Sequence, residues 1–171
     1  MAIGIRYAHT NLIARDWRSL ARFYIEVFGC EPAGSERDKR GPWLDQATGL
    51  RGAHLQGIHL RLLRHGNRGP TLEIFTYDET LEQPHPVANR AGYGHVAFEV
   101  SDVTATLESV LEHGGEPLGT IAKTEVPGVG GLEVTYARDP EGNIIELQSW
   151  RHLNERDYMP PPRRSRLSRG G

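Results

Sequence analysis

The two halves of the chain are imperfect copies of one another, and a duplication of this kind restricts the fold to paired units that bury their apolar faces together. Tyr7-Ala8-His9 aligns with Tyr93-Gly94-His95, Asp16 with Asp102 and Gly29 with Gly115, all at an offset of 86 residues. The register slips by one at Glu31-Pro32 against Glu116-Pro117. At Leu72-Glu73-Ile74 against Ile145-Glu146-Leu147 the offset is 73. The first half therefore carries an insertion of about a dozen residues.

Each half opens with a strand and then a helix. After a strand-like stretch from Ile5 to Leu12, Asp16 is placed to cap a helix whose apolar residues Trp17, Leu20, Ala21, Tyr24, Val27 and Phe28 recur at helical spacing and stop at Gly29. The second half repeats this with a strand from Tyr93 to Val100, a cap at Ser101 or Asp102, and Val103, Leu107, Val110 and Leu111 on one face before Gly114-Gly115. Short strands are expected next, at Pro42 to Ala47, Gly57 to Leu63 and Thr71 to Tyr77, and then at Glu116 to Ala122, Leu132 to Asp139 and Asn143 to Ser149. The predicted fold class is α+β, with two βαβββ modules forming a curved mixed sheet and helices on its convex side. The modules span 5–81 and 93–150, joined by a Pro- and Gly-containing linker at 82–92. A basic, disordered tail is expected at 151–171, where three prolines precede Arg163, Arg164, Arg166 and Arg169.

With 171 residues, 37% hydrophobic and 25% charged, the chain can bury a full core. A net charge of −2 supplies no field to attract nucleic acid or an anionic membrane. Charges interrupt every apolar run before it reaches the roughly 18 residues of a membrane span. The lone Cys30 cannot close an internal disulfide, and the opening residues lack the pattern of a signal peptide, so a cytoplasmic location is expected.

The repeat also pairs four candidate metal ligands. His9 and His95 fall at matching places in the first strands, and Glu73 and Glu146 in the last ones. Strand alternation puts Val96, Phe98 and Val100 on one face and His95 on the other. It sets Leu72 and Ile74 opposite Glu73, and Ile145 and Leu147 opposite Glu146. His9 is less clear, because Ile5 and Tyr7 share its face. Two imidazoles and two carboxylates form a hard, mixed set suited to one divalent first-row ion with positions left for substrate, and the lack of thiolate disfavours a closed structural zinc site. His54, His65, His85, His113 and His152 have no repeat partner. His59 has none either, but it shares a polar strand face with Arg61, so both are candidates for a pocket wall. Asn11, Trp43, Phe75, Tyr136 and Gln148 complete the candidate substrate-binding residues.

These motifs resemble the vicinal-oxygen-chelate superfamily, within it the glyoxalase I and methylmalonyl-CoA epimerase branch. The resemblance covers about residues 5 to 150 and rests on Tyr7-Ala8-His9-Thr10, Phe23-Tyr24-Ile25-Glu26-Val27-Phe28-Gly29, Leu72-Glu73-Ile74, Tyr93-Gly94-His95-Val96-Ala97-Phe98 and Asp139-Pro140-Glu141-Gly142-Asn143-Ile144-Ile145-Glu146-Leu147. It implies a metal held by His9, Glu73, His95 and Glu146, with Glu146 as the base and Glu73 as the second catalytic carboxylate. A Glu at 73 favours this four-ligand site over the two-His-one-carboxylate site of ring-cleaving dioxygenases. Glyoxalase I proteins usually carry an arginine four residues beyond the first His. Here that place is Ile13, with Arg15 two further on. The stretch Trp43 to Gly49 looks more like the epimerases, where an acid such as Asp45 can face Glu146; a turn-forming role for Asp45 stands beside that reading.

The expected function is that of a metal-dependent isomerase, epimerase or lyase that moves a proton next to a metal-bound carbonyl or vicinal oxygens of a small metabolite. The ion would be Ni, Co, Zn, Mn or Fe. The alternatives are an iron-dependent ring-cleaving dioxygenase and a metal-free small-molecule (drug) binding protein. A homodimer is expected, with the site either inside one chain or shared between two.

Overall fold

The computed structural model describes residues 4–66, 68–82, 84 and 86–152, the last by its backbone. The arginine-rich end lies outside the described residues from 153 on. The first half runs β1 (His9–Ile13), α1 (Trp17–Phe28), β2 (Glu31–Pro32), β3 (Arg37–Arg40), α2 (Pro42–Thr48), β4 (His54–Arg61) and β5 (Thr71–Tyr77). The second runs β6 (Val96–Glu99), α3 (Val103–Glu112), β7 (Glu116–Pro117), β8 (Ala122–Val126), β9 (Gly130–Arg138) and β10 (Ile144–His152). Each half is a βαβββ module with one further two-residue strand after its helix.

The duplication is visible in the topology. One five-stranded sheet has the order β1-β5-β4-β2 with β3 also on β4, and the other has β6-β10-β9-β7 with β8 also on β9. In both, the first strand lies parallel to the last and occupies a sheet edge, while the remaining pairings are antiparallel. The predicted caps form. The Asp16 carboxylate accepts from the amides of Arg18 and Ser19, and that of Asp102 accepts from the amide of Ala105. Each bond satisfies helix-end donors that would otherwise lack a partner.

One core serves both modules. Leu20, Phe23 and Tyr24 of α1, Val103 and Val110 of α3, Leu60, Leu72 and Ile74 of the first sheet, and Ala137, Ile145 and Leu147 of the second form a single buried cluster. Phe28 of α1 stacks on Phe98 of β6 with ring centroids 4.0 Å apart, so the first helix reaches across to the second module's edge strand. Both sheets therefore turn their apolar faces to the shared helices. Their polar faces are left on the opposite sides.

The insertion in the first half holds a helix, not the strand expected at Pro42 to Ala47. Pro42 occupies the first turn, where its missing N–H costs nothing, and Gly49 ends the helix at φ 74°, a conformation that an L side chain rarely adopts. Asp45 closes the structure behind it, accepting at 2.8 Å from the amides of both Gly52 and Ala53. Leu44 of α2 is buried with Ala53 and Leu55, and Phe75 and Tyr77 pack against them. Leu55, Phe75 and Tyr77 share strand parity with His59 and Glu73. Helix α2 thus covers one end of the first sheet's polar face.

Candidate metal and substrate site

The alternation read from the sequence holds along the edge strands. His9, Asn11 and Ile13 are exposed on one face of β1 while Thr10 and Leu12 turn inward, and His95, just before β6, is exposed with Ala97 and Glu99 of that strand while Val96 and Phe98 turn inward. This places His9 on the polar face, the point the sequence left open. Glu73 sits one strand in from His9 and is 9% exposed.

In the first module Glu73 Oε1 lies 3.3 Å from Nδ1 of His9 and 3.2 Å from Nδ1 of His59. His59 is the residue directly across from Glu73 in the β4–β5 register. In the second module Glu146 Oε2 lies 3.0 Å from Nε2 of His95. The residue across from Glu146 is Tyr136, whose ring meets His95 edge-on at 5.2 Å. The neighbouring Glu146 carboxylate and then burial raise the Tyr136 hydroxyl above the usual phenol range. Burial pulls the His59 imidazole below its ordinary value, against the opposing influence of Glu73.

Each His–Glu pair fits half of a metal site. Donors bound to one ion at roughly 2.0–2.2 Å stand about 3–3.5 Å from each other, and the pairs here are spaced at 3.0 to 3.3 Å. The donors are hard nitrogens and oxygens suited to a divalent first-row ion. Of the two arrangements that the sequence leaves open, one site inside the chain or one shared between copies, the single chain does not gather all four residues. Among the described residues no group of three or more His, Cys, Asp and Glu side chains is arranged to hold an ion. The physical reason is the shared core, which claims the backs of both sheets and sends the two polar faces outward.

The remaining candidates divide. Asn11 sits on the polar face of β1 beside His9, its amide 3.4 Å from the Glu73 carbonyl oxygen. Phe75 meets the His59 ring edge-on at 5.6 Å, so it belongs to the same wall. Gln148 follows Glu146 on the second sheet's polar face and accepts from the indole N–H of Trp150 at 3.1 Å. Trp150, which sequence reasoning did not single out, lies two positions beyond Gln148 on the same strand. Trp43 stands exposed on α2. Arg61 is drawn off by Glu31 at 3.1 Å. Arg15, the nearest arginine to the place where glyoxalase I proteins carry one, is bound to Glu141 at 2.8 Å. Both Asp45 oxygens serve loop amides, which fulfils the turn-forming reading and removes it as a partner for Glu146.

Comparison with known proteins agrees with this architecture. Residues 6–147 match the Glyoxalase/Bleomycin resistance protein/Dioxygenase superfamily, and the chain belongs to it. It is similar to a probable lactoylglutathione lyase of Vibrio parahaemolyticus serotype O3:K6 (strain RIMD 2210633), at 27% identity over 143 residues, 83% of this chain and 88% of the relative. Among solved structures it is similar in fold to a glyoxalase family protein from Bacillus cereus, with TM-score 0.75 and 20% identity, covering 88% of this chain and 98% of that one. A glyoxalase family protein from Enterococcus faecalis aligns with TM-score 0.54 and 23% identity over 84% of this chain and 96% of that one. No helix among the described residues is long and apolar enough to cross a membrane.

Proposed function

We propose that the chain is a divalent-metal-dependent isomerase, epimerase or lyase acting on a small oxygenated metabolite, and that its site is completed between two copies. The observation that carries this reading is the recurrence of one His–Glu pair on the polar face of each duplicated sheet, at ligand spacing. His9 and Glu73 of one copy would join His95 and Glu146 of the other. The edge positions of β1 and β6, with exposed Tyr7 and Tyr93 just before the two histidines, support pairing of the faces across copies.

The ion, when bound, would polarise a substrate carbonyl and stabilise negative charge on its oxygen. Glu146 acts as the base: its carboxylate takes the proton from the carbon next to that carbonyl and returns it to the same or the adjacent carbon. Tyr136, across the strand pair from Glu146, is placed to steady the direction in which that carboxylate points. Phe75, Gln148 and Asn11 line the walls beside the pairs, and burial of the substrate among them excludes water from the proton transfer.

Glutathione is not the preferred carrier in this reading, because Ile13 offers no charge and Arg15 is engaged by Glu141. The test is metal analysis followed by solvent-exchange chemistry. Purified protein should hold one divalent ion per completed site and gain thermal stability with nickel, cobalt, zinc, manganese or ferrous iron. The loaded protein should exchange carbon-bound hydrogen of α-hydroxyketones with deuterium oxide, and Glu146→Gln should slow this by about 10²–10⁴-fold. Absence of stoichiometric metal would leave a metal-free binder. Oxygen consumption dependent on iron and surviving Glu73→Ala would make it a dioxygenase.

A further inference from the structure

We propose that His59 is a positioning residue that holds Glu73 as a fixed metal ligand, an inference that rests on the metal-dependent reading above. Two imidazoles stand against the Glu73 carboxylate, His9 at 3.3 Å and His59 at 3.2 Å, and both approach through Nδ1 to the same oxygen, Oε1. His9 extends from an exposed edge strand. His59 comes from the interior strand β4, where it lies opposite Glu73 in register and its backbone carbonyl accepts from the amide of Ala33 at 2.8 Å. Its ring is braced edge-on against Phe75. Phe75 in turn lies where Gly57 has no side chain, since a Cβ there would stand 2.3 Å from the Phe75 ring.

Such bracing leaves the His59 imidazole one purpose that the geometry serves directly. Its Nδ1 stands 3.2 Å from Oε1, close enough to limit how the carboxylate turns and to leave the second oxygen for an ion on the polar face. A carboxylate held in this way loses less freedom when it binds an ion, and groups that orient ligands commonly raise metal affinity. The second module has the same arrangement with different chemistry: Tyr136 occupies the position directly across from Glu146. A side chain with a hydrogen-bond donor therefore lies opposite the carboxylate in both copies of the module, whereas among the described residues no other histidine without a repeat partner faces a candidate ligand across a strand pair.

Nickel titration of the full-length protein by calorimetry tests the proposal. His59→Phe retains a flat ring against Phe75 and removes the donor; it should weaken nickel binding by about 10–100-fold. His59→Gln, which restores an N–H, should recover most of that affinity. Melting of the metal-free variants shows whether each remains folded, and should His59→Phe melt early, the His59→Gln and His59→Leu pair decides the matter by the same contrast. Wild-type nickel affinity in His59→Phe, with only the KM for substrate raised, would overturn the proposal and make His59 a substrate contact. A wild-type protein that takes up no nickel, cobalt, zinc or manganese would instead bring down the metal reading, and this inference with it, before any variant is measured.

Discussion

The Tyr24 hydroxyl donates to the Asp139 carboxylate at 2.9 Å inside the core, tying the helix of the first module to the turn that leads into the last strand of the second. Asp139 also accepts from the amides of Glu141 and Asn143 and from the Asn143 side chain, which holds the turn before β10. Burial raises the Asp139 carboxyl above the usual range despite these donors, and it raises the Tyr24 hydroxyl as well. Removing the hydroxyl in Tyr24→Phe leaves a buried acceptor one donor short. That should cost about 1–3 kcal/mol of unfolding free energy, read as a lower denaturant midpoint at unchanged slope.

A second tie between the modules is made by Glu141. Its Oε1 accepts from the amides of Arg15 at 2.9 Å and Asp16 at 3.0 Å, and its Oε2 from the Arg15 guanidinium at 2.8 Å. Glu141→Ala strips two backbone donors of their partner, while Arg15→Ala removes only a side chain that is itself largely exposed. Glu141→Ala should therefore be the more destabilising of the two, by about 1 kcal/mol or more, in parallel urea titrations.

Stability should also respond to His54. Its ring is held between two carboxylates, Asp78 at 2.9 Å on Nδ1 and Asp38 at 3.0 Å on Nε2. The hydrogen bonds to Asp78 and then Asp38 raise its pKa above 6.5. A raised folded-state pKa gives stability that is fully present below 6.5 and is lost as pH rises through the folded value. Asp38, held down to about 2 chiefly by Gln56 and His54, acts in the opposite direction, its contribution falling as pH drops from 3.8 toward 2. Melting temperature measured from pH 5 to 9 should fall across the His54 window, and His54→Gln should flatten that fall. An unchanged profile in the variant would refute the assignment.

The proposed completion of the site between copies has its own signature. On that proposal, His9→Ala and His95→Ala homodimers would each lack a ligand in both sites and should bind divalent metal weakly. Mixed dimers made by unfolding and refolding the two together contain one intact set of His9, Glu73, His95 and Glu146. Metal binding should reappear in the mixture, as counted by elemental analysis after gel filtration. A site contained in one chain would give no recovery.

Gly57 should tolerate no side chain. A Cβ would fall 2.0 Å from the Ile74 carbonyl oxygen and 2.3 Å from the Phe75 ring, so the β4–β5 pair and the ring must shift. Gly57→Ala should lose about 1–3 kcal/mol, and a near-ultraviolet circular dichroism change should report the displaced aromatic wall.

The paired modules, the two capped helices and the polar faces of β5, β6 and β10 were legible in the sequence, because repeats, helical spacing and strand alternation are local properties of the chain. Asp16 and Asp102 cap as their positions predict, and Glu73 and Glu146 oppose the apolar residues beside them. Helix α2 was not legible: a Pro42-to-Thr48 stretch between glycines has no long periodicity, and its choice of helix depends on a nonlocal apolar contact of Leu44 with Leu55, Phe75 and Tyr77. The partners of His59, Arg61 and Arg15 were hidden for the same reason, since strand register and module docking assign them. What the sequence alone determined is the chemistry of the four candidate residues and the strand faces of Glu73, His95 and Glu146. Only the tertiary structure decided that His9 and Glu73, and His95 and Glu146, stand as two separate pairs, because α1 and α3 bury the backs of both sheets in one core and leave each polar face directed outward.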